Sequence, residues 1–438
     1  MPNLGTTPRE PLKTLHIVAV VAGNALEFYD FLVYSFFAIQ IGKAFFPSAN
    51  PYASLMLSLA TFGAGFLTRP IGGLVIGAYA DRAGRRPAML LSFTLMGFAI
   101  FALALIPPYS RIGLAAPILA VAARMVQGFS LGGEVGPNTA YLLEAAPAER
   151  RGLIVALQGA SQNVAAIVGS LVGLGLAATL SAAALGDYGW RIAFLLGVAT
   201  VPFALLVRRA LPETLDPAER AAPRPPIAAS LKTHARPMIL GLLIIGNGTI
   251  GTYVGNYMAT FAQNTLHMTP AASLAASILP YPVGIGGVLL GGWLSDRLGR
   301  RPVMIWPGLL HLLLILPLFY WIVAAHDPWI LAIGMSILAL PGTVSNGAFY
   351  PALAESLPKS MRGSGFACVY AIAIALFGGT TQLVVTWLIH VTGNPTAPAW
   401  YLAGAGVVGL AARLLFLESA PGRAVSVALS GKPVAGTA

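Results

Sequence analysis

The chain has 438 residues, of which 57% are hydrophobic and 9% charged, with a mean hydropathy of +0.77. A soluble domain carries charge on about a quarter of its positions, so this composition excludes a soluble enzyme: there is too little polar surface to face water. A net charge of +11 would point to nucleic acid in a soluble protein, but here the basic residues sit in loops between apolar stretches, which removes that reading and leaves the lipid bilayer as the solvent.

A hydrocarbon core about 30 Å thick is crossed by about 20 apolar residues in a helix, and such stretches recur from Leu15 to Leu417. In chain order the predicted spans are 15–40, 52–80, 87–106, 112–140, 152–179, 190–209, 237–262, 270–295, 301–324, 328–354, 361–390 and 396–417. The expectation is an all-α membrane protein of twelve transmembrane helices. The first apolar run is long and is not followed by a small-residue cleavage site, so it reads as a retained span. Arg9 and Lys13, Arg82/Arg85/Arg86, Arg150/Arg151, the stretch Arg208 to Arg236, Arg297/Arg300/Arg301 and Lys359/Arg362 fall in every second connection, while the intervening connections hold only Lys43 and Arg111. By the positive-inside rule both termini are then cytoplasmic. The one long polar connection, 210–236, is rich in proline (Pro212, Pro217, Pro223, Pro225, Pro226) and reads as a cytoplasmic linker between an N-terminal half, 1–209, and a C-terminal half, 237–438, that ends in a short tail.

An internal repeat supports that division. Gly77-Ala-Tyr-Ala-Asp81-Arg82-Ala-Gly84-Arg85-Arg86-Pro87 aligns with Gly292-Trp-Leu-Ser-Asp296-Arg297-Leu-Gly299-Arg300-Arg301-Pro302, and Glu144-x-x-Pro147-x-x-x-Arg151-Gly152 aligns with Glu355-x-x-Pro358-x-x-x-Arg362-Gly363. Equivalent loops fall on the same side of the membrane in both halves. That is a parallel repeat about an axis along the membrane normal, giving two pseudo-symmetric six-helix bundles.

The G-x-x-x-D-R-x-G-R-R loop after the second span, repeated after the eighth, resembles the signature loop of the major facilitator superfamily. An aspartate at a helix end can accept hydrogen bonds from the following basic residues and from a neighbouring helix N-terminus. Asp81, Arg82, Gly84, Arg85 and Arg86, with Asp296, Arg297, Gly299, Arg300 and Arg301, are therefore expected to form a latch on the cytoplasmic side. Gly23-Asn24-Ala-Leu-Glu27-Phe-Tyr-Asp30-Phe31 and Arg124-Met-Val-Gln127-Gly128-Phe-Ser-Leu-Gly132-Gly133-Glu134 resemble the metabolite:proton symporters. Within that family, Phe66-Leu-Thr-Arg69-Pro70-Ile-Gly72, Gln158-Gly-Ala-Ser161-Gln162-Asn163 and Asn346-Gly347-Ala348 look most like the citrate or tricarballylate symporters. The resemblance implies proton-coupled uptake of a carboxylate by alternating access, in a bacterial inner membrane, by a chain that works as a monomer. Symport of 2-oxoglutarate, shikimate or a zwitterionic osmolyte is the alternative, and a membrane sensor that kept a transporter fold is another.

An ionisable side chain in the bilayer costs at least about 2.5 to 3.5 kcal/mol on insertion scales and is a functional candidate by default. Glu27 and Asp30 lie 12 and 15 residues into the first span, near the midplane at about 1.5 Å per residue. They share a helix face, where mutual repulsion and desolvation favour keeping a proton on one of them. Asp30 and Glu27 are the expected proton carriers, with Glu134 a third candidate lower in span four. Arg124 and Arg69, also at mid-depth, are the expected substrate ligands, because a guanidinium grips a carboxylate bidentately. Gln158, Gln162, Asn163 and Asn346 add neutral donors, and Asn247 and Tyr253 on span seven line up for the C-terminal wall. Cys368 is the only cysteine and the histidines lack ligand spacing, so neither a metal site nor a cofactor is expected. His390 reads as an interfacial side chain.

Overall fold

A computed structural model describes residues 14–83, 85–132, 139, 142–143, 146–209, 234–357 and 362–420. The architecture is all-helical among the described residues. The spans are α1 (Thr14–Phe36, continued by Ala38–Phe45), α2 (Pro51–Leu67, continued by Arg69–Ala83), α3 (Arg85–Leu105), α4 (Ala115–Leu131), α5 (Arg151–Thr179) and α6 (Trp190–Arg209), followed by α7 (Ala235–Asn264), α8 (Pro270–Ala276 and Pro280–Leu298), α9 (Arg300–Ala325), α10 (Pro328–Glu355), α11 (Arg362–Ala373 and Gly379–Thr392) and α12 (Ala397–Leu415). Observed and predicted ends agree within a few residues where they are described; of the fourth span, predicted as 112–140, regular helix is described over Ala115–Leu131, residue 139 is helical, and the rest of its predicted C-terminal part falls largely outside the described residues. The linker 210–236 falls almost wholly outside the described residues.

Local chemistry sets the helix ends. Asn50 accepts from the Tyr52 amide at 3.0 Å with Pro51 in the first turn, and Asp327 accepts from the amides of Trp329 and Ile330 at 2.8 and 3.0 Å with Pro328 following it. Both are the N-cap-then-proline arrangement that supplies orphan amides with an acceptor. Arg191, predicted to lie within span six, instead caps another helix: it donates to the carbonyls of Ala104 and Ile106 at the C-terminus of α3, at 2.7 and 2.6 Å. The outer surface is apolar, as lipid requires. Trp293 and Trp306 are exposed toward the end carrying the duplicated loops, called here the motif end, and Trp321, Trp329 and Trp400 toward the far end. These are the two aromatic belts of a bilayer-spanning bundle.

Helices α1–α6 meet α7–α12 along α1/α7, α2/α11 and α5/α8. At the far end Gln382 donates to the Ser35 hydroxyl at 2.7 Å, Thr260 donates to the Ser35 carbonyl at 3.0 Å, and His390 stacks on Tyr52 with ring centroids 3.7 Å apart. His390 thus joins α11 to α2 across the two groups of helices. At the motif end α5 and α8 touch backbone to backbone, where a Cβ on Gly152 would meet the Gly292 carbonyl oxygen at 2.5 Å.

The tightest approach lies within the first six helices. A Cβ at Gly128 would collide with the Gly65 carbonyl, one at Gly72 with Phe129, and one at Gly132 with the Arg69 carbonyl. Bare glycines on both helices let α2 and α4 run in backbone contact, and this sets Arg69 of α2 beside Arg124 of α4. Overpacking a close contact costs about 1 to 3 kcal/mol or more, so Gly128→Val is expected to lower the thermal midpoint of the detergent-solubilised protein markedly. Gly175→Ala, at a position with open space around it, should leave the midpoint within error.

Candidate functional site

A cavity of about 250 Å³ lies between the two groups of helices. Gln162 and Asn163 of α5 line it on one side; Asn247, Tyr253 and Asn256 of α7 and Asn346 of α10 line it on the other, with Phe28 and Phe31 of α1 forming part of the wall. Of the sequence-predicted ligands, Gln162, Asn163, Asn247, Tyr253 and Asn346 reach this space. Gln158 does not line it. Its side-chain oxygen accepts from Thr139 at 2.8 Å and its carbonyl accepts from Asn24 at 3.0 Å, so it ties α1 to α5 inside the first six helices.

Arg124, Arg69 and Asp30 come together but behind the cavity wall. Arg124 Nη1 lies 4.0 Å from Asp30 Oδ2, with both side chains buried, and the same nitrogen donates to Gln127 Oε1. The Arg124 guanidinium carbon sits 4.4 Å from the Phe31 ring centroid and 4.6 Å from that of Tyr34; that of Arg69 sits 4.6 Å from Phe31 and 4.3 Å from Phe66. These ring faces take over part of the role of water around two cations in a low-dielectric interior. Phe31 therefore has one side on the cavity and carries both arginines. Tyr253 shares the wall, lining the cavity while its ring packs edge-on against Phe66 at 5.4 Å and Phe62 at 6.0 Å.

The polar bookkeeping of this cluster is incomplete. Neither Asp30 carboxylate oxygen has a hydrogen-bond partner, nor do Arg124 Nε, Arg124 Nη2 and Arg69 Nε. Orphan buried groups of this kind are costly and call for an explanation. A cluster that exchanges its ion pair for a proton and an incoming anion supplies one. Glu27 occupies helical backbone one turn before Asp30, but its side chain lies outside the described residues, as do Glu134 and Gly84 and the side chains of Asp81, Arg82, Arg85 and Arg86.

The second copy of the duplicated loop is described in full. Asp296 at the end of α8 accepts from the amides of Gly152 and Leu153, the first turn of α5, at 2.8 and 3.0 Å. A carboxylate on a helix N-terminus satisfies orphan donors and the helix dipole together, and this one spans the boundary between the two groups of helices. Arg300 donates to Asp296 at 2.8 Å and grips Glu355 of α10 bidentately at 2.9 and 3.0 Å, so the two duplicated motifs meet at one residue. Gly299 holds the turn at φ +100°, a conformation that side-chain-bearing residues avoid. Arg297 instead lies over the Trp293 ring at 4.2 Å, and Arg301 donates to the Leu414 carbonyl at 2.8 Å. Glu418, which sequence reasoning passed over, caps α9 by accepting from the amides of Arg300 and Arg301 at 2.9 and 3.0 Å.

Among the cavity-lining residues that escaped the sequence reading are two with basic side chains, His311 of α9 and Arg413 of α12. The signal was present, since each is an ionisable residue inside a predicted span. Among the described residues no cluster of histidine, cysteine and acidic side chains is arranged to hold a metal.

The model of the Major Facilitator Superfamily matches residues 20–368. The chain is 37% identical over 414 residues to a citrate-proton symporter of Salmonella typhi, covering 93% of this chain and 94% of that protein. It is 38% identical over 400 residues to a citrate-proton symporter of Klebsiella pneumoniae, covering 90% of each. Among solved structures, a D-xylose-proton symporter superposes with a TM-score of 0.72 at 18% identity, covering 93% of this chain and 98% of that one; this likeness carries the fold alone. The chain is a multi-pass membrane protein with the twelve-helix fold, and it belongs to the Major Facilitator Superfamily.

Proposed function

We propose that the protein is a secondary active transporter that takes up citrate or a related tri- or dicarboxylate together with protons, by alternating access in a bacterial cytoplasmic membrane, with both termini on the cytoplasmic side. The observation that carries this reading is the buried Asp30–Arg124 pair at 4.0 Å, beside Arg69 and one aromatic layer from the central cavity. The relatives' activity and the placement of polar groups around that cavity support it.

In this reading a proton on Asp30 cancels the ion pair, and Arg124 with Arg69 turns past Phe31 to meet a substrate carboxylate. The empty, deprotonated site holds its own pair and resists an anion, so substrate and proton favour each other; that is the coupling free energy a symporter needs. Residues 1–209 and 237–438 act as the two rocking bodies, joined by the linker 210–236. Asp296 on the α5 N-terminus is one latch of the closed motif end. Repeat symmetry gives Asp81 the N-terminus of α11 as its counterpart, and α2 and α11 are in contact.

The cargo is tested by uptake of labelled citrate into proteoliposomes, with tricarballylate, 2-oxoglutarate and betaine as competitors. Saturable citrate uptake, inhibited by tricarballylate and not by betaine, is expected; betaine flux without citrate flux would overturn the carboxylate assignment. The latch has its own expectation. Losing a helix cap costs about 1 kcal/mol, so Asp296→Ala should raise the population open at the motif end about 5-fold. Maleimide labelling from that side, at Val155→Cys in a Cys368→Ser background, reports it, and an unchanged labelling rate would count against a gating role.

A further inference from the structure

We propose that Arg413, set by Asn247, is a second carboxylate-binding point on the α7–α12 side of the cavity, so that the substrate is clasped by cations from both halves. This deepens the carboxylate reading above and rests on it. Arg413 is buried at 4% exposure, lines the cavity, and donates from Nη2 to Asn247 Oδ1 at 3.0 Å. Its Nε has no hydrogen-bond partner, and among the described residues no carboxylate forms an ion pair with it. A buried guanidinium without a counter-anion is an expensive arrangement.

The ordinary account of an arginine near the end of a membrane helix is snorkelling to the nearby surface, and the direction of α12 opposes it. Helix side chains lean toward the N-terminus of their helix, and α12 enters at the far end and finishes at the motif end. Arg413 therefore leans back into the bilayer, away from the surface it is nearest in sequence. Its partner Asn247 stands 12 residues into α7, about 18 Å from the start of that helix.

The surroundings are cut to fit this side chain. A Cβ on Gly308 of α9 would meet Arg413 Nη1 at 3.0 Å, and one on Gly409 of α12 would meet Asn247 Oδ1 at 2.7 Å. Neighbouring His311 lines the same space, and Gly342 of α10 makes room for its ring, 2.8 Å from where a Cβ would stand. His311 Nδ1 lies 2.9 Å from the Leu338 carbonyl oxygen. An oxygen there accepts only, so Nδ1 carries the hydrogen and Nε2 is left for another partner. An anionic oxygen beside Arg413 satisfies the orphan donor and supplies the missing charge, in the geometry that guanidinium–carboxylate recognition uses.

The test compares binding of citrate and glutarate to purified wild type, Arg413→Gln and Arg413→Lys by titration calorimetry, with thermal midpoints of the ligand-free proteins. Arg413→Gln should weaken citrate binding by about 100-fold, the scale of losing one buried charged partner, and bring citrate to within about threefold of glutarate. Arg413→Lys keeps the charge without the fork and should fall between. Because no acid is left unpaired, the ligand-free midpoint of Arg413→Gln should hold or rise. Unchanged citrate affinity in Arg413→Gln, or a variant that fails to fold, overturns this assignment while leaving wild-type carboxylate binding intact. A wild type that binds neither ligand overturns the carboxylate reading itself.

Discussion

Asp30→Asn should abolish pH-gradient-driven accumulation of citrate while leaving citrate-for-citrate exchange close to the wild-type rate. Asparagine has the shape of a protonated aspartate and carries no charge, so the variant is fixed in the form that releases Arg124. Binding and rocking then no longer require a proton. Loss of the coupling free energy, typically about 1 to 3 kcal/mol, removes the 5- to 150-fold advantage one ligand gives the other. Accumulation and exchange are measured on the same proteoliposomes, with labelled citrate outside against an imposed gradient in one case and against internal unlabelled citrate in the other. A variant that still accumulates citrate in response to the gradient would remove Asp30 from the coupling step. A variant that loses both activities in parallel would make it structural.

Arg124→Gln carries the other large effect. Truncating one member of a buried pair leaves the other charge uncompensated, at a cost of about 3 to 5 kcal/mol, so the single variant should lose both thermal stability and citrate binding. The double variant Arg124→Gln/Asp30→Asn separates these losses. With Asp30 and Arg124 both neutral, Arg69 is left behind Phe31 and the net charge there is the wild-type one, so the midpoint should recover most of the fall, whereas citrate affinity should stay at least about 100-fold below wild type, because the guanidinium that meets the substrate is still missing. Recovery of citrate affinity with recovery of stability would show that Arg124 holds α1 to α4 and does not touch the cargo.

Much of the fold was legible because the bilayer imposes one rule on every residue. Spans of about 20 apolar positions, loops alternating in charge, and two nearly identical D-R-x-G-R-R segments need no tertiary information. The gathering of Asp30, Arg69 and Arg124 was also readable, since each stands at mid-depth in its own span and few other charges do. The barrier between them and the cavity was not. Whether Phe31 stands in front of an arginine or beside it depends on side-chain packing that no spacing encodes. Arg413 and His311 were missed for a different reason. A basic residue two positions before the end of the last helix reads as a surface charge under the positive-inside rule, and only the run of α12 toward the motif end, with Asn247 across from it, turns that residue inward. Glu355 and Arg300 likewise stand 55 positions apart, in two different duplicated motifs of the C-terminal half, and the chain gives no sign that one grips the other.

The measurement that bears most directly on the central claim is labelled-citrate accumulation in wild-type proteoliposomes with the interior alkaline, compared with vesicles at equal pH on both sides and with gradient vesicles treated with a protonophore. Coupled symport predicts internal citrate rising above the external concentration only while the gradient lasts, and collapsing to equilibrium when the protonophore is added. Citrate that equilibrates equally fast and to the same level in all three conditions would contradict the account, leaving the fold of a Major Facilitator Superfamily member around a pathway without a proton in its cycle.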